Sequence, residues 1–413
     1  MPPIAPYRYF FFAAVILASA ILQPTTFFRA AARIFHIKQH FAVVNPAPAF
    51  LHTNRTLHTM AYDKELELAL LAVQRAAILT KSVYSSHSKG TLTKTDSSPV
   101  TIGDFGAQAL IIASIKSAFP DDEVVGEEDA DDLRANADLK TLVWDLVQQA
   151  KLSDSAAEDT IGGPIKSADD MLIALDGGAS QGGNKGRIWA LDPIDGTKGF
   201  LRGGQYAVCL ALMVDGVPTV GVIGCPNLPV DDKAPLDSKT GFDASSEGNG
   251  VLFGAVKGQG ATSRALTDGK LAEPKEITMS PLPDVSQATF CESVEAGHSS
   301  HGDQAAIASK LGITKDSVRM DSQAKYCSIA RGAGDLYLRL PTSKTYQEKI
   351  WDHAAGVVLV QEAGGEVSDA YGKPLNFGIG RTLKENKGII AAPKSVHAQV
   401  IEVVKEVLSA KKD

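Results

Sequence analysis

Apolar side chains recur along the chain with two different periods, and each period predicts one type of secondary structure. From Asp63 to Ala77 they return at helical spacing, which places them on one face of a helix. Tyr206–Val214 and Val217–Ile223 are instead continuous apolar runs around Asp215-Gly216, which predicts antiparallel strands joined by a tight turn. The predicted helices are 63 onward, 104–119, 304–311, 352–363 and 395–410, with a short one in 329–334.

Shorter apolar runs predict further strands, and the polar stretches between them predict loops. The acidic, glycine-bearing stretch 130–186 is weakly periodic, and we interpret it as an irregular surface insertion with some helix. Residues 227–250 are rich in Asp, Ser and Gly, which predicts a long loop. Additional strands are predicted at 123–126, 188–191, 250–256, 288–293 and 336–340.

Composition limits the functions that are open to the chain. The 413 residues carry a formal net charge of -7, which disfavours a groove for nucleic acid. The four cysteines are widely spaced and form no Cys-x-x-Cys pair, so neither a zinc knuckle nor a disulfide framework is indicated. We therefore expect a reducing compartment and interpret all four cysteines as core residues.

Residues 1–59 differ from the rest of the chain because they contain Lys and Arg but no Asp or Glu. Within them Tyr9–Leu22 is an apolar run near the length of a signal-peptide core and too short to predict a membrane span. The extension is therefore a secretory signal, a mitochondrial presequence, or the product of a start codon assigned upstream of Met60. We expect no stable membrane partner.

Residues 192–197 combine two carboxylates with a turn of a size suited to phosphate. Asp192 follows a predicted strand, and the proline after it bends the backbone so that Asp192, Asp195 and the Ile194 carbonyl can converge on one point. Such oxygen ligands are those that Mg²⁺ prefers. A glycine then lets backbone N–H groups approach an anion, beside the Thr197 hydroxyl. The alternative is an ordinary turn after a strand.

Three further acidic residues are candidates for the same site, although each also has an ordinary structural explanation. Glu127 ends a predicted strand and begins an acidic run, 127–129, which elsewhere would be a solvated face. Neighbouring side chains of an extended chain point to opposite sides, so at most one of Glu127 and Glu128 is a ligand. Asp104 and Asp352 stand at predicted helix starts, where capping is the ordinary role.

Taken together and in this order, three of these segments resemble the lithium-sensitive, Mg²⁺-dependent phosphatases typified by inositol monophosphatase. They are Gly126-Glu-Glu128, Asp192-Pro-Ile-Asp-Gly-Thr197 and Trp351-Asp-His-Ala-Ala355. Within that superfamily the chain is similar to the fungal 3′(2′),5′-bisphosphate nucleotidases, from about Met60 to the C-terminus. The segments that carry this closer similarity are 94–104, 199–203, 297–301, 321–326 and 346–353.

The resemblance implies a fold and a set of site residues. The fold is an α/β (α+β) layered αβαβα sandwich of the sugar-phosphatase type, formed by residues 60–413. Asp104 and Thr197 are the implied catalytic residues, which orient and deprotonate the attacking water. The implied ligands of two or three Mg²⁺ ions are Glu127, Asp192, Ile194 through its carbonyl, Asp195 and Asp352. The implied substrate-binding residues are Thr197, His298, Ser322, Lys325, Arg339 and Asp352.

For the substrate, the resemblance implies a nucleotide with two phosphates. Lys325 and Arg339 would supply the positive charge for the phosphate that is not hydrolysed. Without the resemblance, we would interpret Arg339 as a surface ion pair at a strand end and His298 as an ordinary loop histidine.

The implied reaction is hydrolysis of the 3′-phosphate of 3′-phosphoadenosine 5′-phosphate (PAP) to AMP. The implied second substrate is the 5′-phosphosulfate analogue (PAPS), which would yield adenosine 5′-phosphosulfate (APS). Such an enzyme supports sulfate assimilation and salt tolerance and is inhibited by lithium or sodium. We expect a monomer with a cytoplasmic catalytic domain, or a mitochondrial one if residues 1–59 are a presequence. The alternatives are an inositol monophosphatase, an inositol polyphosphate 1-phosphatase and a non-catalytic nucleotide sensor.

Overall fold

The strands of the computed structural model form two large sheets and one short hairpin. The structure describes residues 61–85, 91–93, 99–234, 236, 248–295, 297, 299–343 and 345–410, all within the compact unit Thr59–Asp413. The helices are α1 (Asp63–Ser85), α2 (Ile102–Ala118), α3 (Asp131–Ala135), α4 (Ala137–Gln149), α5 (Ser155–Ile161), α6 (Ala168–Asp176), α7 (Thr197–Arg202), α8 (His301–Leu311), α9 (Ala324–Ala330), α10 (Ala354–Glu362) and α11 (Lys394–Ser409). The strands are β1 (Thr91–Thr93), β2 (Pro99–Thr101), β3 (Glu123–Gly126), β4 (Arg187–Asp195), β5 (Ala207–Val214), β6 (Val217–Pro229), β7 (Asn249–Val256), β8 (Ala261–Ala265), β9 (Lys275–Ile277), β10 (Phe290–Glu292), β11 (Val318–Arg319), β12 (Leu336–Arg339), β13 (Gly365–Ser368) and β14 (Ile389–Pro393).

The two large sheets and their covering helices stack in five layers. The first sheet has the order β3-β4-β5-β6-β7-β8-β9 and is antiparallel except between β3 and β4. Helices α1 and α2 cover one of its faces, while α9 and α10 pack between it and the second sheet, β11-β10-β12-β14-β13. Helices α8 and α11 cover the outer face of the second sheet. The expected layered αβαβα sandwich is therefore confirmed.

Helix α1 forms as its apolar spacing predicts, but it is buried around most of its circumference. The polar residues Gln74 and Arg75 are also buried. The guanidinium of Arg75 donates to Glu158 at 3.0 Å and to the carbonyl of Leu110 at 3.1 Å. A buried charge is tolerated only when it is paired in this way. Arg75 does not belong to the apolar face that the spacing predicts, but it is buried because α2 and α5 also pack on α1.

Residues 130–186 are not an irregular surface insertion, so that interpretation is wrong. They contain α3, α4, α5 and α6, which bury Leu133, Val143, Val147 and Leu175 against α2. Each of these helices spans at most 13 residues, so the hydrophobic period has little length over which to appear.

Several element boundaries also differ from the predictions. Strand β6 continues to Pro229, so the predicted loop 227–250 begins later, and much of it lies outside the described residues. Helix α9 begins at Ala324 and ends at Ala330, instead of lying in 329–334. All four cysteines are buried and free, as predicted. Within the described residues, none of the helices combines the length and apolar character needed to cross a bilayer.

Candidate active site

Strand β4 delivers Asp192 and Asp195 to a cavity through a bulge at its carboxyl end. Asp192 pairs with Cys209 of β5 and Asp195 with Ala207, so three steps on β4 face two steps on β5. An extra residue of this kind bends a strand and redirects its side chains. As a result both carboxylates line one cavity of about 400 Å³.

The turn after β4 brings the Thr197 hydroxyl beside the Ile194 carbonyl. Gly196 has φ +85°, a left-handed conformation that a residue with a side chain rarely adopts. A Cβ at Gly196 would also lie 3.0 Å from the Cβ of Ser322. Thr197 then begins α7, and its Oγ1 donates to the Ile194 carbonyl at 3.3 Å.

The cavity is lined by residues that follow β3, end β4, surround the start of α9, belong to β12 or precede α10. The resemblance implied a role for nine of the residues that line it, and the same cavity contains several residues that it did not implicate. The described lining residues are Glu127, Asp192, Ile194, Asp195, Gly196, Thr197, Lys198, Asp321, Ser322, Gln323, Lys325, Tyr337, Arg339, Tyr346, Lys349, Trp351, Asp352 and Arg381.

Glu127 is turned into the cavity by a contact between Gln108 and its neighbour. The side-chain amide of Gln108 donates to the Glu128 carbonyl at 2.7 Å and accepts from the Glu128 N–H at 3.0 Å. Glu128 is thereby held in a buried position, while Glu127 lines the cavity. Only one of the two glutamates therefore faces the site, as the alternation of an extended chain requires.

Burial, together with neighbouring acids, raises the pKa values of three carboxylates at the cavity, Asp192, Asp195 and Asp352. Burial, followed by the charge of Glu127, raises the pKa of Asp192 well above its ordinary value. Burial also raises the pKa of Asp352, against the opposing effect of Arg339. Burial raises the pKa of Asp195 to about 6, although Lys325 opposes the shift. Crowded acids of this kind are costly to keep ionised without a cation between them.

The donor set fits a hard divalent cation. The Oδ1 atom of Asp192 is buried and has no hydrogen-bond partner among the described residues. An oxygen left in this way is costly unless something absent from the protein chain binds it. Four carboxylates and the Ile194 carbonyl offer only oxygen atoms at this place, which is the chemistry that Mg²⁺ selects.

Asp104 lies behind this cluster. It is buried in the first turn of α2, which begins at Ile102, so Asp104 is not the cap of that helix. Its charge contributes to the raised pKa of Asp192, but it is absent from the described residues that line the cavity.

A second group of acids and His, next to Asp352, is occupied by protein partners. Side-chain atoms of Glu348, Asp352 and His353 lie within 4.8 Å of one another. However, Glu348 pairs with the Nε of Arg339 at 2.8 Å and with the Nε2 of His353 at 3.2 Å. The other His353 nitrogen, Nδ1, hydrogen-bonds with the Tyr326 hydroxyl at 2.9 Å. We therefore interpret Glu348 as the partner that orients Arg339.

Two of the implied nucleotide-binding residues, Ser322 and Lys325, lie close to Asp195. Ser322 has φ +67° and lies directly before Gln323, whose N–H donates to the Asp195 carboxylate. Lys325 lines the cavity but is buried, and its ammonium donates to the Met320 and Ser322 carbonyls at 3.2 and 2.8 Å. Burial lowers the pKa of Lys325, and the charge of Asp195 opposes the shift.

Arg339 is the other cation of this group, and it ends β12. His298 lies outside the described residues.

Sequence reasoning missed three residues that hold the site together. Gln323 joins two of its parts, because its amide donates to the Trp351 carbonyl at 2.8 Å and accepts from the Gly356 N–H at 3.0 Å. Glu348 pairs with Arg339, and Arg381 stacks on Trp351, and both of these partners line the cavity. Gln323 and Glu348 stand in the segments 321–326 and 346–353 that carried the resemblance, and Arg381 stands in none of those segments.

The chain is similar to known proteins over most of its length. Residues 61–409 match the model of the inositol monophosphatase family. The chain is 61% identical over 350 residues, 84% of its length, to a 3′(2′),5′-bisphosphate nucleotidase of Emericella nidulans, of which it covers 99%. It is 52% identical over 85% of its length to a protein of that name from Schizosaccharomyces pombe, of which it covers 97%.

Solved structures support the same fold. An inositol monophosphatase (IMPase) from Thermotoga maritima matches with a TM-score of 0.53 and 19% identity, over 84% of this chain and 98% of that one. The inositol monophosphatase from Anabaena matches with a TM-score of 0.50 and 20% identity, over 85% of this chain and 100% of that one. At this identity the likeness concerns the fold alone.

Proposed function

The chain belongs to the inositol monophosphatase family, and on that premise we propose that it is a Mg²⁺-dependent 3′(2′),5′-bisphosphate nucleotidase. The proposed reaction is hydrolysis of the 3′-phosphate of PAP to AMP and phosphate, with PAPS converted to APS as a second activity. The observation that carries the proposal is a single cavity lined by both acids and cations. The four candidate metal-binding carboxylates line it together with Lys325 and Arg339. A substrate with two phosphates needs both.

The proposed ligands of two or three Mg²⁺ ions are Glu127, Asp192, Asp195, Asp352 and the Ile194 carbonyl. When bound, such ions stabilise the attacking and leaving oxygens of an in-line displacement. The protein's own part begins at Thr197, whose hydroxyl is held against the Ile194 carbonyl at 3.3 Å. We assign to Thr197 Oγ1 the orientation of the attacking water, and to the Asp104 carboxylate, which does not line the cavity, the acceptance of a proton passed on through that hydroxyl.

In this proposal, Lys325 and Arg339 determine which substrate the cavity binds. The Nε of Arg339 faces Glu348 at 2.8 Å, and one terminal nitrogen lies 3.4 Å from the Tyr346 hydroxyl. The described residues give the guanidinium no other hydrogen-bond partner, so its remaining donors are proposed to hold the second phosphate. Lys325, Ser322 and His298 complete the proposed nucleotide contacts.

The activity is tested by phosphate release from PAP by purified residues 60–413, with and without Mg²⁺. We expect turnover only with the metal, and much slower turnover of inositol 1-phosphate and inositol polyphosphates. Faster turnover of an inositol phosphate would place the chain with the inositol phosphatases. Tight nucleotide binding without phosphate release in Mg²⁺ would identify a nucleotide sensor instead.

The role of Arg339 is tested by comparing PAP with adenosine 3′-phosphate, which lacks the second phosphate. Arg339→Met should raise KM for PAP by roughly 10-fold to 100-fold and KM for the monophosphate by less than about threefold. Arg319→Met is the matched control. Like Arg339, Arg319 pairs with a buried glutamate, in this case Glu292, but it does not line the cavity. Equal effects of Arg339→Met on both substrates would contradict the assignment.

The remaining parts of the proposal concern inhibition and context. Li⁺ resembles Mg²⁺ in size with half its charge, so we propose that it inhibits by taking a metal position, with sodium sensitivity and a role in salt tolerance. Full activity in millimolar lithium at ordinary Mg²⁺ would contradict this. Residues 60–413 are the proposed catalytic domain, monomeric and cytoplasmic, or mitochondrial if residues 1–59 are a presequence. N-terminal sequencing of the native protein distinguishes these locations.

A further inference from the structure

Arg381 lies on a segment that runs alongside the chain leading to Asp352. Its backbone carbonyl accepts from the Ile350 N–H at 3.1 Å, and the N–H of Leu383 donates to the Glu348 carbonyl at 2.8 Å. The main chain of Arg381 is therefore fixed to the segment that carries Asp352.

The side chain of Arg381 reaches the residue that precedes Glu127. One terminal nitrogen donates to the Gly126 carbonyl at 2.6 Å, and the other donates to the Ser180 carbonyl at 2.9 Å. Gly126 directly precedes Glu127, and the N–H of Ser180 in turn donates to the carbonyl of Val124 on β3 at 3.0 Å. One residue thus bonds both to the segment before Asp352 and to the strand that ends before Glu127.

The guanidinium also stacks on the residue next to Asp352. Its carbon lies 4.8 Å from the centre of the Trp351 ring, a distance typical of a cation over an aromatic face. The guanidinium thus uses two N–H donors for the carbonyls and its flat face for the Trp351 ring at the same time. A lysine ammonium cannot reproduce this combination. Arg381 also lines the cavity, so its charge stands close to Glu127.

We propose that Arg381 is a positioning residue that sets the separation between Glu127 and Asp352 and thereby the affinity of the site for Mg²⁺. The inference rests on the proposed metal-dependent function and adds a residue to that same site. A residue that only stabilises the fold would lower the free energy of unfolding when replaced. A residue that positions ligands must also raise the Mg²⁺ concentration that the site requires.

The experiment compares Arg381→Met and Arg381→Lys with Arg331→Met. Arg331 is a matched control, since it is buried and donates to the Pro229 carbonyl at 2.7 Å but does not line the cavity. The measurements are the Kd for Mg²⁺ alone by calorimetry, the Mg²⁺ concentration for half-maximal phosphate release, KM for PAP at saturating Mg²⁺, and urea unfolding of the metal-free protein.

Residues that orient metal ligands typically change metal affinity by about 10-fold to 100-fold. Arg381→Met should therefore raise Kd and the half-maximal Mg²⁺ concentration by roughly 10-fold or more, with KM for PAP within about threefold. Arg381→Lys should raise both by at least about threefold, and it decides the question if the methionine variant does not fold. Arg331→Met should lower stability and leave both unchanged.

The proposal is overturned if the foldable Arg381 variants bind Mg²⁺ within about twofold of the wild-type Kd. It is also overturned if Arg331→Met shifts Kd equally. A wild-type protein that binds Mg²⁺ without hydrolysing PAP would refute the proposed function, while the calorimetric comparison would still decide the role of Arg381.

Discussion

Replacing Glu348 with glutamine removes a negative charge that the fold surrounds with nitrogen donors. The Glu348 carboxylate is almost fully buried and lies between the Nε of Arg339 at 2.8 Å and the Nε2 of His353 at 3.2 Å. Burial alone would raise the pKa of Glu348, but Arg339 and then His353 outweigh it and lower the pKa from 4.5 to about 2. The ionised form is therefore strongly favoured in the folded protein.

The size of the effect follows from this pKa. One pKa unit corresponds to about 1.4 kcal/mol, so the charged form of Glu348 contributes about 3 kcal/mol to folding at neutral pH. Removing one partner of a buried ion pair costs a similar amount, about 3 to 5 kcal/mol. Because the folded-state pKa is the lower one, the contribution is fully present above pH 4.5 and is lost as the pH falls towards 2.

Urea unfolding of the metal-free protein at pH 7 and at successively lower pH measures this contribution. Glu348→Gln should lower the free energy of unfolding by about 3 kcal/mol at pH 7, and the difference should narrow below about pH 4.5. Glu406→Gln is the control, because Glu406 pairs with Lys310 at 2.7 Å on the exposed surface. Exposed pairs contribute less than about 1 kcal/mol.

A double-mutant cycle with Arg339→Met then isolates the pair. The double variant should be more stable than the sum of the single changes predicts by about 2 kcal/mol, because neither charge is left buried alone. A cost below about 1 kcal/mol for Glu348→Gln, or strict additivity in the cycle, would refute the view that Glu348 holds Arg339.

Two further predictions concern the acids and the turn beside them. Asp192→Asn should reduce phosphate release by roughly 1000-fold or more. The same change should raise the Tm of the metal-free protein, because it replaces a buried carboxylate among other acids by a neutral group. A lower Tm in calorimetry would contradict this. Gly199→Ala should lower the free energy of unfolding by about 2 kcal/mol, because its Cβ would lie 2.4 Å from the Gln205 carbonyl and 2.6 Å from Asp321 Oδ2. Gly302→Ala in α8 is its control, since a Cβ there would meet no atom within 4 Å. In urea unfolding this control should gain about 0.5 to 1 kcal/mol in the free energy of unfolding. Equal losses of stability in both variants would contradict the steric argument.

The candidate acids were predictable from sequence because their chemistry is local. Asp192 and Asp195 stand three residues apart at the end of an apolar run, and Glu127 ends another. Apolar runs define the ends of strands, and acids at those ends are visible without knowledge of the fold. The alternation of side chains alone did not decide which of Glu127 and Glu128 faces the cavity. The resemblance implied Glu127, and the contact of Gln108 with Glu128 agrees with that choice.

The supporting residues were not predictable, because their partners are distant in sequence. Arg381 donates to a carbonyl 255 residues earlier, and Gln323 donates its N–H to an acid 128 residues earlier. An arginine or glutamine among turn residues has the same pattern as an ordinary solvated side chain. Only the assembled fold shows that these two residues contact the site.

The helices in 130–186 were missed for a different reason, since a local signal was present. Asn136, Asp154 and Ser167 each accept a hydrogen bond from the backbone N–H three residues later, at the starts of α4, α5 and α6. These are favoured N-cap residues, and they mark helix starts even where the apolar period is short. Giving the N-cap residues more weight than the hydrophobic periodicity would have predicted these helices.

Because the first sheet precedes the second along the chain, the candidate site is completed late during translation. The strands of the first sheet lie between Glu123 and Ile277, and those of the second lie between Phe290 and Pro393. As the chain emerges from its N-terminal end, the first sheet can pair while Asp352 and Arg381 are still missing. Three of the four candidate acids then stand together without the segment that completes the set. Complete metal binding would therefore require that the C-terminal part has folded against the first sheet. The binding free energy would then stabilise the full-length folded protein relative to incomplete chains.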